Sequence, residues 1–296
     1  LGNDANGSLE ERIRAEAKRR YIAPVDAKVD SVWKAIPAYN GLEVDIDASL
    51  KLAARHPDAN PLPVVTREIP AKVQLGDLGP YPVYKGNPNK PMAALMINVA
   101  WGEEYLPAML ETLRKEKVHA TFFFDGSWLS KHLDTARQIG AQGHELSNHA
   151  YSHKNMSQLS RPRATEEIAK TEKLLKDELG VTNRLFAPPS GDFDGETVRI
   201  ASGMNLTTVL WTLDTLDWRN PGAEFIVRKI GSRVEPGSLI LMHPTASSSA
   251  ALERMIRSIK GKGLALGTVS ELLSPQRVPE AAALPKAAPT KGDSGS

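Results

Sequence analysis

The sequence predicts an α/β protein built on a largely parallel sheet, either open or closed into a barrel. Between Met92 and Leu273 short apolar runs alternate with longer segments whose apolar residues recur at helical spacing. The apolar runs are continuous, as in "AALMINVA" and "GSLILMH", which suits strands covered on both faces. One helical segment, "TEEIAKTEKLLKDELG", closes on a glycine stop.

The elements follow in order. "AALMINVA" and "HATFFFDG" read as strands, with the helix "EEYLPAMLETLRKEK" between them. "SKHLDTARQIGAQG" is a helix, and "HELSNHAYSH" is a short strand running into a loop. After the helix that ends at Gly180 come the strand and loop "RLFAPPSG", the helix "ETVRIASGMN", and the strands "LTTVLWTLDT" and "GSLILMH". "AALERMIRSIKGKG" and "SELL" close the pattern. No internal repeat is visible.

Upstream, "SLEERIRAEAKRRYI" reads as an exposed helix capped by Ser8, acidic early and basic late as the helix dipole favours. The expected organisation is a mixed appendage over 1–65, a connector wrapping the main domain over 66–91, the main domain over 92–274, and a disordered Pro/Ala/Lys-rich tail over 275–296.

Composition narrows the function. The 296 residues are 41% hydrophobic and 24% charged, enough for a large buried core. A formal charge of +2 gives no reason to expect a nucleic-acid partner. With no cysteine, disulfides, thiol catalysis and zinc–thiolate sites are excluded. No apolar run reaches the ~18 residues of a membrane span. The chain begins at Leu1 and reads as trimmed, so an extracytoplasmic protein exported or anchored through a removed segment is the expectation.

The residues able to do chemistry cluster at strand ends. His149 and His153 in "SNHAYSH" are spaced to point two imidazoles at one metal ion, although the pair alone also fits two polar loop residues. A mostly apolar strand delivers His243 to its C-terminal end, where α/β enzymes place catalytic groups. Asp214, Asp217 and Trp218 in "LWTLDTLDW" follow another strand, and an Asp near His243 would orient its imidazole as a general acid requires. The loop "APPSGDFD" offers a rigid corner with exposed N–H groups suited to an oxyanion.

Taken in order, "ATFFF", "GHELSNHAYSH", "FAPPSG", "LWTLDTLDW" and "LILMH" resemble the polysaccharide deacetylases of carbohydrate esterase family 4, the NodB homology domain, over roughly Met92 to Leu273. "INVAWG" and the N-terminal region are similar to the YlxY-type sporulation branch. The resemblance implies a distorted (β/α) barrel and a divalent metal, most often zinc. It also implies N-deacetylation of cell-wall glycan such as peptidoglycan, or of chitin oligomers. It implies that His149 and His153 bind metal, that His243 protonates the leaving amine, that Asp217 tunes it, and that Ser190 supplies a backbone N–H to the oxyanion.

The departures are as informative. The family's Thr-Phe-Asp-Asp-Gly motif carries the general base and then a metal ligand. A gapless register from "ATFFF" sets Asn98 on the base and Val99 on the metal carboxylate, whereas anchoring on Gly102 would set Ala100 and Trp101 there. Either way both carboxylates are gone. Ala187 takes the position of the arginine that holds the base, and an arginine facing no carboxylate would be a buried unpaired charge. Asn98 cannot take a proton from water near neutral pH, and Val99 cannot bind metal.

Three readings stand. The first is a deacetylase-like protein with impaired or lost catalysis that still recognises glycan, with Trp101, Tyr151, Trp211 and Trp218 as stacking surface. The second is a working hydrolase in which Glu103 or Glu104 replaces the base. The third is a structural envelope or spore protein whose partner binds the N-terminal region. The metal is expected to be weakly held or absent.

Overall fold

The computed structural model describes residues 3–279. The chain opens with α1 (Asn3–Arg20), β1 (Lys28–Asp30), β2 (Lys34–Ile36), β3 (Gly41–Asp45), α2 (Ile46–Ala54) and β4 (Val65–Ile69). β3 and β4 pair antiparallel from Gly41↔Ile69 to Asp45↔Val65, and α1 and α2 cover them through Ile13, Val44, Ala53 and Leu62. Two expectations are corrected here. α1 begins at Asn3, so Ser8 lies inside it and caps nothing. β4 crosses the 65/66 boundary, so the connector starts only after Ile69.

The main domain follows as β5 (Met92–Val99), α3 (Leu106–Lys115), β6 (Thr121–Phe124), α4 (Gly126–Lys131), α5 (Leu133–Ala141), β7 (Glu145–Asn148), α6 (Arg161–Asp177) and β8 (Leu185–Phe186). It continues through α7 (Gly195–Gly203), β9 (Thr207–Thr208), β10 (Leu213–Asp214), α8 (Ala223–Arg233), β11 (Leu239–Met242), α9 (Ala246–Gly261), β12 (Ala265–Gly267) and α10 (Val269–Leu273). The strands form one parallel sheet in the order β10-β11-β5-β6-β7-β8-β9, with β12 also on β5. β9 and β10 do not pair, which leaves a curled, incompletely closed (β/α) barrel. The connector enters this sheet: Val83 donates to Thr208 and accepts from Leu210.

All eight residues of β5 are buried, and their alternation divides the core. Ala93, Leu95, Ile97 and Val99 face the outer helices with Met109, Leu113, Leu252 and Ile256. Ala94 and Met96 face the barrel interior with Phe123 and Leu241. A strand covered on both faces gains apolar burial from every residue, at roughly 25 cal/mol per Å².

The start of the expected disordered tail is packed. Pro275 accepts from Asn40 N, Arg277 N donates to Glu68, and the Arg277 guanidinium lies over the Tyr39 ring. Residues 280–296 of that tail lie outside the described residues.

Candidate active site

A cleft of about 410 Å³ opens at the C-terminal ends of the central strands. It is lined by Asn98, His149, His153, Ser190, Asp214, Trp218 and His243, and by the stacking candidates Trp101 and Trp211, so most of the candidates from the sequence meet there. A larger cavity of about 710 Å³ lies at the opposite strand ends around His144 and Glu145 and contains none of them. Chemistry, not size, makes the smaller one the site.

β11 ends at Met242, which leaves His243 at the rim. Its Nδ1 donates to Asp217 Oδ1 at 2.8 Å. The other Asp217 oxygen accepts from the backbone N of His243 and from Ser248 Oγ. Asp217 is wholly buried, and three donors satisfy its carboxylate. They fix the imidazole and leave Nε2 as its free nitrogen. Asp214 lines the cleft and turns the chain by accepting from Leu216 N.

On the other side, β7 delivers His149. Its Nδ1 lies 2.7 Å from the Ala187 carbonyl. A carbonyl only accepts, so Nδ1 carries the proton and Nε2 keeps its lone pair, as a metal ligand requires. Burial pushes His149 down to about 3, so the ring is neutral near neutral pH. Its ring centre is 5.3 Å from that of His153. Left-handed backbone at Ala150 and His153 turns the loop, and Glu167 pins it by accepting from Tyr151 N, Ser152 N and Ser152 Oγ.

The third quarter of the site is neutral. Asn98 points into the cleft, almost fully buried, and its Oδ1 has no hydrogen-bond partner. Val99 does not line the cleft, because its side chain lies in the outer core with Phe124 and Leu106. Ala187 is likewise buried apolar surface. The second-register residues divide: Ala100 lines the cleft, and Trp101 stacks on His243 with ring centres 5.8 Å apart and planes 8° apart. Gly102 makes that approach possible, since φ is +84° and a Cβ would collide with the Pro244 carbonyl.

Glu103 does not turn toward the cleft. It accepts from Trp128 Nε1 at 3.3 Å and sits 3.8 Å from His132 Nε2. Neither Glu103 nor Glu104 lines the site, which removes the substitute-base geometry. Tyr151 is also outside it, with Lys170 over its ring. Sequence reasoning missed Asp125. This nearly buried carboxylate caps α4 through Oδ1, while Oδ2 has no partner. Burial raises its pKa, against hydrogen bonds from Ser127 and Trp128 and the field of His153.

A divalent metal fits this donor set in part. His149 and His153 present imidazoles with the correct tautomer at His149, but the family's carboxylate position is the core-facing Val99. Among the described residues, no three His, Cys, Asp or Glu side chains are arranged around one ion. The family's complete three-ligand set is therefore absent.

Comparison with known proteins agrees with this geometry. The polysaccharide deacetylase family model matches residues 85–209. The uncharacterized protein YlxY of Bacillus subtilis is 42% identical over 270 residues, which are 91% of this chain and 85% of that protein. A peptidoglycan-N-acetylglucosamine deacetylase of Bacillus cereus is 30% identical over 194 residues, 64% of this chain and 70% of the enzyme. The crystal structure of BA3943, a carbohydrate esterase family 4 pseudoenzyme from Bacillus anthracis, superposes with a TM-score of 0.86 at 41% identity, covering 91% of this chain and 96% of that one. A mutant of that pseudoenzyme described as having restored enzymatic activity superposes equally well, with a TM-score of 0.86 at 40% identity, covering 91% and 99%. A curled parallel (β/α) barrel, His149 and His153 opposite an Asp217-held His243, and these relatives lead to one conclusion: the chain belongs to the polysaccharide deacetylase family, carbohydrate esterase family 4.

Proposed function

We propose that this chain is a deacetylase-fold protein of the cell envelope that binds N-acetylglucosamine-type glycan and has lost most or all hydrolysis. The observation that carries the reading is Asn98. Asn98, which the resemblance sets at the base position, lines the cleft as an amide buried at 4% exposure. An amide hydrogen-bonds water but does not take its proton. Loss of a general base typically costs about 10²–10⁴-fold.

The rest of the cleft still suits a sugar. Trp101 and Trp218 both line the cleft and are about half exposed, and Ser190 and Asp214 add polar groups. His243 Nε2 is the group that would protonate a leaving amine, with Asp217 holding the ring. Bound at His149 and His153, a zinc ion would polarise the acetyl carbonyl and favour hydroxide. We also propose an extracytoplasmic location, on the chemistry of the glycan, with peptidoglycan as the substrate class suggested by the named relatives. A role in sporulation rests on the resemblance to the YlxY branch alone.

The test pairs acetate release from chitotetraose and peptidoglycan fragments with calorimetric binding of the same glycans. Binding without acetate supports the reading. Turnover of about 1–10³ s⁻¹ overturns the loss of catalysis, and absence of glycan binding overturns recognition. In the latter case the reading as a structural envelope protein leads, tested by partner binding that survives His149→Ala with His153→Ala.

A further inference from the structure

We propose that the cleft prefers de-N-acetylated glycan: it takes a sugar bearing a free 2-ammonium group more tightly than the N-acetylated sugar, with Asp214 as the counter-ion. The inference rests on the glycan-binding reading above and names the form of the sugar that is bound.

The charge inventory of the cleft carries the argument. No Lys or Arg lines it, and Asp214 is the one carboxylate among its lining residues. Asp214 Oδ1 accepts from Leu216 N at 2.8 Å, and Oδ2 accepts no hydrogen bond from the described residues. The ion pair at the cleft is His243 with Asp217, and that buried carboxylate balances any charge on the ring. Asp214 therefore lines the cleft with no counter-ion among the described residues. A carboxylate left without a partner in a partly desolvated site favours an incoming cation.

The neutral groups point the same way. Asn98 Oδ1 is buried without a partner, and His149 keeps a lone pair on Nε2 because Nδ1 donates to the Ala187 carbonyl. Both groups belong to residues that line the cleft, and both are acceptors. An ammonium brings three N–H donors, whereas an acetamide brings one together with a carbonyl that is a further acceptor. Leaving a buried acceptor unpaired is costly, so the donor-rich ligand gains more. Three indoles, Trp101, Trp211 and Trp218, line the same cleft, and an indole face attracts a cation within about 6 Å. Arg219, which does not line the cleft, already lies 4.7 Å from the centre of the Trp218 ring. Trp101 and Trp211 carry no such cation. A cleft of about 410 Å³ is in the size range of small-ligand sites.

The test is calorimetric binding of the full chain to the glucosamine tetramer and to the N-acetylglucosamine tetramer near neutral pH, with butylammonium as an amine without a sugar. The glucosamine tetramer should bind about 10-fold tighter, the scale of one partly desolvated cation contact. Asp214→Asn keeps the acceptor for Leu216 N and should remove the preference. Wild type supplies a second measurement that needs no variant: added salt should weaken the glucosamine tetramer and leave the neutral tetramer unchanged. Equal affinities, or tighter binding of the N-acetylated tetramer, overturn this inference and leave the glycan-binding reading standing. A preference that persists in folded Asp214→Asn, or that salt does not reduce, also overturns it. Butylammonium binding as tightly as the glucosamine tetramer overturns it by showing an amine site without sugar recognition. Binding of neither tetramer overturns the glycan-binding reading together with it.

Discussion

The two halves of the cleft have been treated differently. Around His243 the polar groups are wired, with its Nε2 left free: Asp217 takes three donors, and Thr245 caps α9 immediately beyond. Around Asn98 polar groups are few and loose: Oδ1 is unpartnered, Val99 and Ala187 are apolar, and nothing is held in register by charge. A buried ion pair costs stability when one partner is removed, whereas replacing all partners by neutral or apolar groups costs little. The chain shows the second pattern on one side and an intact network on the other. Loss of a charged site is tolerable when base, ligand and supporting arginine are absent together.

That contrast is open to attack, and the largest effect is expected on the wired side. Asp217→Ala should destabilise the fold by about 3–5 kcal/mol, because three donors lose a buried acceptor. Asn98→Ala should cost about 1 kcal/mol or less, because its oxygen has no partner to lose. Urea unfolding of both variants measures the difference, and equal costs would erase the contrast.

Next comes Ala187→Arg, which buries an unpaired guanidinium and should cost about 3 kcal/mol or more. Adding Asn98→Asp should recover at least about 1 kcal/mol of that. A double-mutant cycle without coupling would mean that the two positions no longer face each other.

Acid should act through the buried imidazoles. Burial holds His149 at about 3 and His144 at about 4, both below the ordinary 6.5. The unfolded chain therefore binds more protons between those values. Stability is unaffected above pH 6.5 and falls as pH drops toward 4, by up to about 1.4 kcal/mol per unit for each group. Metal-free protein should show this in its urea midpoint, and His144→Gln should flatten part of the slope. The smallest expected stability effect is Trp101→Ala, within about 0.5 kcal/mol, since the ring is 46% exposed. The same change should weaken glycan binding measurably, and unchanged binding would remove Trp101 from the recognition surface.

Much of this was legible in the chain. Continuous apolar runs identify β5 and β11 because burial on both faces leaves no alternation. Strand-end position identifies His149 and His243. The less legible parts depend on partners distant in sequence. Val83 joins the sheet through Thr208 and Leu210 from what reads as a connector. The residues after Pro275 pack because Asn40 and Glu68 offer hydrogen bonds from the far end of the chain. Asp125 in "FFFDGSW" reads as a helix cap, which it is. That its other oxygen is buried without a partner depends on residues distant in sequence and is not carried by local pattern.

The central claim is that the acid half survives and the base half is gone. It is tested most directly by acetate release from N-acetylglucosamine oligomers at saturating zinc, comparing wild type with Asn98→Asp. Wild type should release no acetate above background, and Asn98→Asp should raise the rate by about 10²–10⁴-fold over whatever the wild type shows. Wild-type turnover of about 1–10³ s⁻¹ that Asn98→Asp leaves unchanged would contradict the account.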